Sequence, residues 1–282
     1  MPARSAPAAA LEFLADFSAP PDGVCFHLDP VHLRADGSGL LLFPAEAAAL
    51  GEDEGRALFE AVRPWLEEDG WKAHYAAVDR WYVTGSDSAP VPVTTSLQQV
   101  ITRPVSRHMP VGEGADDWLQ RINEMQMLLH GHEVNQQRGR HGRPLVNGLW
   151  LWGGGAMPAA GKSVYTHLYT SRRLLKGLAE LHHMPDTKVP AAARHLSPGH
   201  NSVLVDLDGC ESSAAAGDVQ RWCNTLAEFE QEWFRPLLSL LLRGRIRQLD
   251  LLPLDGFRYP LRRRDLLAWW RGKGDYRALV KG

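Results

Sequence analysis

An α/β core with a smaller α+β portion is the fold class that the sequence predicts, on three observations. Short apolar runs flanked by Asp, Gly and Pro come in pairs over residues 24–84, the mark of antiparallel strands. Beyond Asn147, strands and helices alternate, as in an α/β sheet. The 282 residues are 44% hydrophobic and 23% charged, an ordinary globular balance that supports a sizeable core.

Taken in order, residues 1–22 read as a loose leader and 23–282 as a single compact α/β domain, in which 23–115 form a cap-like subdomain. Val24–Leu28 and Leu40–Phe43 are strands, joined by the turn Asp36–Gly39. Pro44 suits the start of a helix that reaches about Glu68, with breaks near Gly51 and Pro64. Trp71–Ala77 and Arg80–Thr84 form a second strand pair. Residues 85–97 have no apolar period and are a loop, functional or mobile. Asp116 caps a helix to about Leu129, with Trp118, Ile122, Met125 and Leu129 as its core stripe. Gly148–Trp152 is a strand ended by three glycines, and Ser171–Leu181 is a helix. Ser202–Leu207 reads as a central buried strand. The helix from Asp218 buries Val219, Trp222, Leu226, Phe229, Trp233 and Leu237, and Pro236 bends or ends it. Gln248–Leu252 is a late strand, and Arg263–Arg271 a last helix with Trp269 and Trp270.

Several function classes are excluded by composition. A net charge of -2 gives no global basic field, so neither nucleic acid nor an anionic membrane is an expected partner. Cys25, Cys210 and Cys223 have unrelated spacings that fit neither a disulfide framework nor a zinc site. No run of ~18 apolar residues exists for a membrane span, and the first residues lack a signal-peptide core. The expected location is the cytoplasm. Ten tryptophans point to large aromatic contacts or a pocket wall.

Four stretches carry polar chemistry. Asp29, His32 and Arg34 fall within six residues at a strand end, where Arg34 suits a phosphate or carboxylate; an ordinary strand edge with an Asp29–Arg34 pair reads equally well. Asn123, Gln126 and His130 share a helix face next to the core stripe, as a hydrogen-bond network or a ligand face. His130 and His132 lack the i, i+4 spacing of a helical metal site, so a structural role suits His130 better. Trp150 and Trp152 share a strand face and read as core, while Gly153–Gly155 bring the backbone close to a ligand or another strand. Ala156–Ser163 is a relaxed phosphate-loop pattern. Its first glycine is missing, and the residues that follow favour a strand over the helix such a loop needs.

The segments DPVHLR, QMLLHGHEVNQQRGRHGRPLVNGLWLWGGGAMP, RRLLKGLAELHHMP and SVLVDLDGCESSAAAGDVQRW resemble, in that order, the archaeal-type cofactor-independent phosphoglycerate mutases of the alkaline-phosphatase superfamily. The chain looks closer still to the bacterial regulatory protein RpfE-type family. The resemblance spans about residues 24–275 and is dense at 120–155. It implies an alkaline-phosphatase-like core sheet with helices on both faces and a smaller α+β cap portion. It also implies missing chemistry. The family's aspartate metal ligand and phosphoryl-accepting serine have no counterpart before Val24. Aligned on Gly217-Asp218, a metal aspartate becomes Glu211 and a metal histidine becomes Ala215. A further Asp-His pair falls near Leu254-Asp255, with no histidine.

The resulting expectation is a non-catalytic phosphoglycerate-mutase-like protein with a regulatory or small-ligand role. Its expected ligand is a small phosphorylated or carboxylated molecule. The residues expected to hold it are Asp29, Arg34, Glu124, His130, Asn135, Arg138, Asn147 and Gly154, with Arg138, Asn135, Glu124, Asn147 and Asp29 converging near Gly153–Gly155. No cofactor is expected. One alternative is an active phosphomutase or phosphatase with manganese or zinc on Asp206, Asp208 and Glu211. Another is nucleotide binding through Ala156–Ser163.

Overall fold

The computed structural model describes residues 6–267 except 38, 198, 200, 212, 214–216 and 255. Ala215, Asp255, Trp269 and Trp270, named above, lie outside the described residues. The chain forms two compact units, residues 1–186 and 187–282, rather than the single domain expected.

The first unit is built around one long strand, β1 (Val24–Asp36). Its end turns antiparallel into β2 (Gly39–Pro44), with Asp36 opposite Gly39. Its start pairs antiparallel with β4 (Arg80–Gly85), which pairs with β3 (Lys72–Ala77). Residues 24–31 also pair antiparallel with β5 (Gly148–Ala156). The result is a five-stranded mixed-order sheet with antiparallel pairing. Both faces of β1 are buried, because helices cover both. Val24, Phe26 and Leu28 face α2 (Glu52–Glu68) and α4 (Ala115–Gly131) in the main core, with Leu58, Val62, Leu66, Trp118, Met125 and Leu129. Each buried aliphatic side chain there contributes roughly 1.5–3 kcal/mol. Cys25 faces the other way, against α1 (Ala8–Phe17).

That helix corrects the loose leader. Ala9, Ala10, Leu11, Phe13 and Leu14 are buried, and Gly177 of α6 (Arg173–Leu181) admits Leu11 so closely that a Cβ would collide with its backbone. The Ala/Pro-rich start hid an amphipathic turn pattern. The helix expected from Pro44 begins later: Gly51 precedes α2, and Glu54 accepts from its N–H at 3.1 Å. Pro64 does not break α2, because it lies on the exposed side, where the unpaired carbonyl four residues back meets water. Short α5 (Glu133–Arg140) packs with α2 and α4, short α3 (Leu97–Val100) packs with Trp150 and Trp152 on the other face, and β6 (His167–Tyr169) precedes α6. A two-residue strand, β7 (Asp186–Thr187), marks the boundary of the units.

The second unit holds β8 (Val203–Val205), three half-buried residues outside the five-stranded sheet, so this stretch is not the central buried strand expected. Asp218 caps α7 (Val219–Phe229), accepting from Arg221 N–H at 2.9 Å. No residue of α7 is buried: Val219 is 70% and Trp222 39% exposed, against 3% for Trp233. Only part of the predicted apolar face is covered. A π-helical turn, Glu230–Phe234, then leads into α8 (Arg235–Leu242). Pro236 explains it: with no N–H, proline forces the hydrogen-bond ladder to skip there, so the helix is re-registered instead of ended. The hairpin β9 (Gln248–Leu251) and β10 (Tyr259–Arg262) is followed by α9 (Arg263–Leu266). No described helix is long and apolar enough to cross a membrane.

Candidate functional site

Alternation along β1 places Cys25, His27 and Asp29 on the face that α1 covers. Asp29 is buried and accepts from Trp81 N–H (3.3 Å) and Trp152 Nε1 (2.6 Å). His27 has no exposure. Its ring stacks on Trp152 at 4.1 Å and 6° and lies 4.5 Å from Tyr82. Its Nε2 is 3.5 Å from Glu12 of α1 and its Nδ1 is 3.7 Å from Asp29. Burial acts to lower the pKa of the ring, but the two carboxylates prevail and hold it at about 9. The glycines beside this cluster are structural. Gly153, at φ 69°, sits where β5 carries an extra residue opposite β1. A Cβ on Gly154 would run into the Phe26 ring, and one on Gly155 would come within 2.7 Å of Pro7. The close neighbours are thus a side chain and the approach to α1, not a ligand.

The densest family-like segments do meet in space. Asn147 extends the β1–β5 ladder with its carboxamide, accepting from Leu33 N–H (2.7 Å) and donating to Leu33 C=O (2.9 Å). His32 Nδ1 lies 2.8 Å from the Leu145 carbonyl. Buried Asn135 donates to Leu129 and Val146 carbonyls at 2.7 and 2.8 Å and accepts from Val146 N–H at 2.9 Å. Arg138 has no exposed side chain. Its guanidinium donates to Pro144 C=O (2.8 Å), to Glu54 (2.6 Å) and to Ala48 C=O. The expected convergence near Gly153–Gly155 is therefore replaced by two separate arrangements. Asn135, Arg138 and Asn147 hold the 144–147 segment, α2 and β1 together. Asp29 belongs to the cluster under α1.

The remaining expected residues lie at the surface. Arg34 is exposed, with its guanidinium carbon 4.6 Å from the centre of the Phe43 ring, while Asp29 is engaged by Trp81 and Trp152 instead. Glu124 accepts from Gln120 at 2.9 Å and lines a shallow recess beside Trp65 and Arg121. His130 is exposed in the last turn of α4, where its ring suits the helix dipole. Among the described residues no three His, Cys, Asp or Glu side chains come together to hold a metal, and Asp206, Asp208 and Glu211 form no such group. Residues 157–166 contain no helix, and β6 begins at His167, so Ala156–Ser163 has no helix N-terminus to offer a phosphate.

Sequence reasoning missed an open cleft of about 440 Å³ at one end of the sheet. Asp69, Trp71, Gly85, Pro90, Asp117 and Arg121 line it, and the loop from residue 85 forms one wall. Its floor is an aromatic pair, Trp71 and Trp118, with ring centres 4.6 Å apart. Arg121 pairs with Asp69 at 2.5 Å and reaches over the Trp118 ring. The unpatterned loop 85–97 and the abundance of tryptophan were the signals for it.

Comparison with known proteins gives one direction. The chain is weakly similar to cofactor-independent phosphoglycerate mutases. It is 24% identical over 135 residues to a probable 2,3-bisphosphoglycerate-independent phosphoglycerate mutase of Geobacter sulfurreducens, covering 48% of this chain and 34% of that one. It is 24% identical over 173 residues to the mutase of Methanothrix thermoacetophila, covering 54% and 44%. The chain thus spans less than half the length of these curated relatives. A solved cofactor-independent mutase of Thermoplasma acidophilum overlaps at TM-score 0.41 and 18% identity, over 79% of this chain and 63% of that one. A Pyrococcus horikoshii protein overlaps at TM-score 0.44 and 12% identity, over 79% and 59%. Overlaps this loose leave the fold to be read from the chain's own elements. No family model matches the chain.

Proposed function

We propose that this chain is a non-catalytic relative of the phosphoglycerate mutases, of the regulatory RpfE type, that acts by binding and not by moving a phosphoryl group. One observation carries the reading: Arg138, the cation in the most family-like segment, is fully buried and has its donors engaged by Ala48, Pro144 and Glu54. A catalytic or anion-binding guanidinium must face its ligand. This one ties three segments of backbone together, as do Asn135 and Asn147. Phosphoryl transfer of the mutase kind also needs a clamp of carboxylates and imidazoles around metal. Among the described residues, no His, Cys, Asp and Glu side chains gather into the group of three that manganese or zinc would need. Sequence similarity to the mutases supports shared ancestry of the segments, and their present use supports a scaffold.

The cleft beside Arg121 offers the better place for a small phosphorylated or carboxylated ligand. Arg121 is a quarter exposed and its partner Asp69 nearly half exposed, so an incoming anion competes only with a solvent-facing pair. A coupled mutase assay, with manganese, magnesium and zinc each in excess, tests the first half of the proposal. The expected outcome is no turnover. Turnover above about 1 s⁻¹, in the ordinary enzyme range, that is lost in Asp208→Ala or Glu211→Ala overturns it. Calorimetric titration with 3-phosphoglycerate tests the second half. Binding that survives Arg121→Ala but is lost in a folded Arg138 variant would move the ligand back to Arg138.

A further inference from the structure

α1 lies against the sheet through charge as well as apolar contact. Glu12 and Asp16, one turn apart, both point to the sheet side. Asp16 accepts from Arg80 (2.6 and 3.2 Å), from the Tyr82 hydroxyl (2.7 Å) and from Arg173 of α6 (3.3 Å). Glu12 meets His27, and His27 is the centre of a layered arrangement. Trp152 covers one face of its ring, Tyr82 lies against the other, and a carboxylate stands off each nitrogen edge. Neither ring nitrogen has a conventional hydrogen bond in the structure. A neutral ring here would leave two carboxylates facing an uncharged buried group. A cationic ring answers both carboxylates and lies well over the indole face.

We propose that His27 is held as an imidazolium whose charge clasps α1 to the sheet, so that loss of its proton frees the helix. The groups facing the ring support this assignment. α1 presents Glu12, β1 presents Asp29, β4 presents Tyr82, and β5 presents uncharged Trp152. Arg80 and Arg173 are held at Asp16, on the far side of Tyr82. Burial, then Asp16, pushes the Tyr82 phenol far above its usual range, and burial raises the neighbouring Cys25 thiol as well. In the neutral to mildly alkaline range His27 is therefore the group in this layer that changes charge.

The direction follows from linkage. In the folded chain burial acts to lower the ring, but Asp29 of its own strand and then Glu12 of α1 raise it from 6.5 to about 9. Its contribution is complete below the free-ring value and is lost as the pH rises through about 9. Asp29 faces the ring whether or not α1 is docked, so only the share due to Glu12 is linked to docking: α1 should loosen by less than tenfold per pH unit as the pH rises toward about 9, and level off above. The experiment is hydrogen exchange of the full chain from pH 6.5 to 10, expressed as protection factors, with NMR titration of the His27 ring. Expected results are a ring midpoint near 9 and falling protection in α1, while α4 stays protected. Glu12→Gln, which leaves Asp29 in place, should bring the midpoint below about 9 and flatten the α1 profile. His27→Gln should remove the pH dependence; if it fails to fold, Glu12→Gln decides alone. A ring midpoint near 6.5 in the native chain overturns the proposal. So does α1 protection that is flat with pH, or that falls only together with α4.

Discussion

At the residue scale, the informative side chains are polar groups buried with full employment. Arg138 is the sharpest case. Its removal leaves the Ala48 and Pro144 carbonyls without donors and Glu54 without its closest cation. Arg138→Met should destabilise the first unit by about 3–5 kcal/mol, the usual loss when one partner of a buried ion pair is deleted. Arg34→Ala, on an exposed guanidinium lying over Phe43, should shift stability by no more than about 0.5 kcal/mol. Urea denaturation of the two variants checks both, and equal effects would mean that Arg138 is not the tie that its geometry implies. The residue types at these positions were legible in the sequence, and so was their proximity to a core stripe. Their partners were not. Glu54 and Ala48 come from a helix and turn more than eighty residues away, and no local pattern announces such a contact.

At the element scale, periodicity performed well where a face is covered and misled where it is not. The α4 stripe is buried at all four positions, so Trp118→Ala should cost about 3–5 kcal/mol through the cavity left beside Trp71 and Phe26. Trp222 belongs to an equally regular stripe on α7 and is 39% exposed. Trp222→Ala should cost less than about 1 kcal/mol. Thermal unfolding of the pair separates them; a large loss at Trp222 would show that α7 has a covering surface in solution. α1 failed in the opposite direction. An Ala/Pro-rich run precedes it, and its ten residues are too few for a strong periodic signal. What makes it a helix is the sheet face beneath it, with His27 and Tyr82 waiting for Glu12 and Asp16.

At the scale of the whole molecule, the two units differ in how they are held. Residues 6–186 contain three clusters of buried apolar side chains. Among the described residues of the second unit, the large buried side chains are Trp233 and Leu241. Trp233→Ala should therefore lower hydrogen-exchange protection in α7 and α8 and leave the amides of β1 and β5 unchanged; loss in both units would mean that they unfold as one. The sequence by itself determined the mixed α/β class, the antiparallel start and the α4 core. These are local matters of period, turn chemistry and residue type. Only the tertiary structure decided that Asn135, Arg138 and Asn147 serve the backbone, that α1 closes over a buried histidine, and that an open cleft lies at Arg121. Each depends on which distant carbonyl, carboxylate or ring a side chain meets, and that is fixed when the sheet brings β1, β4 and β5 side by side.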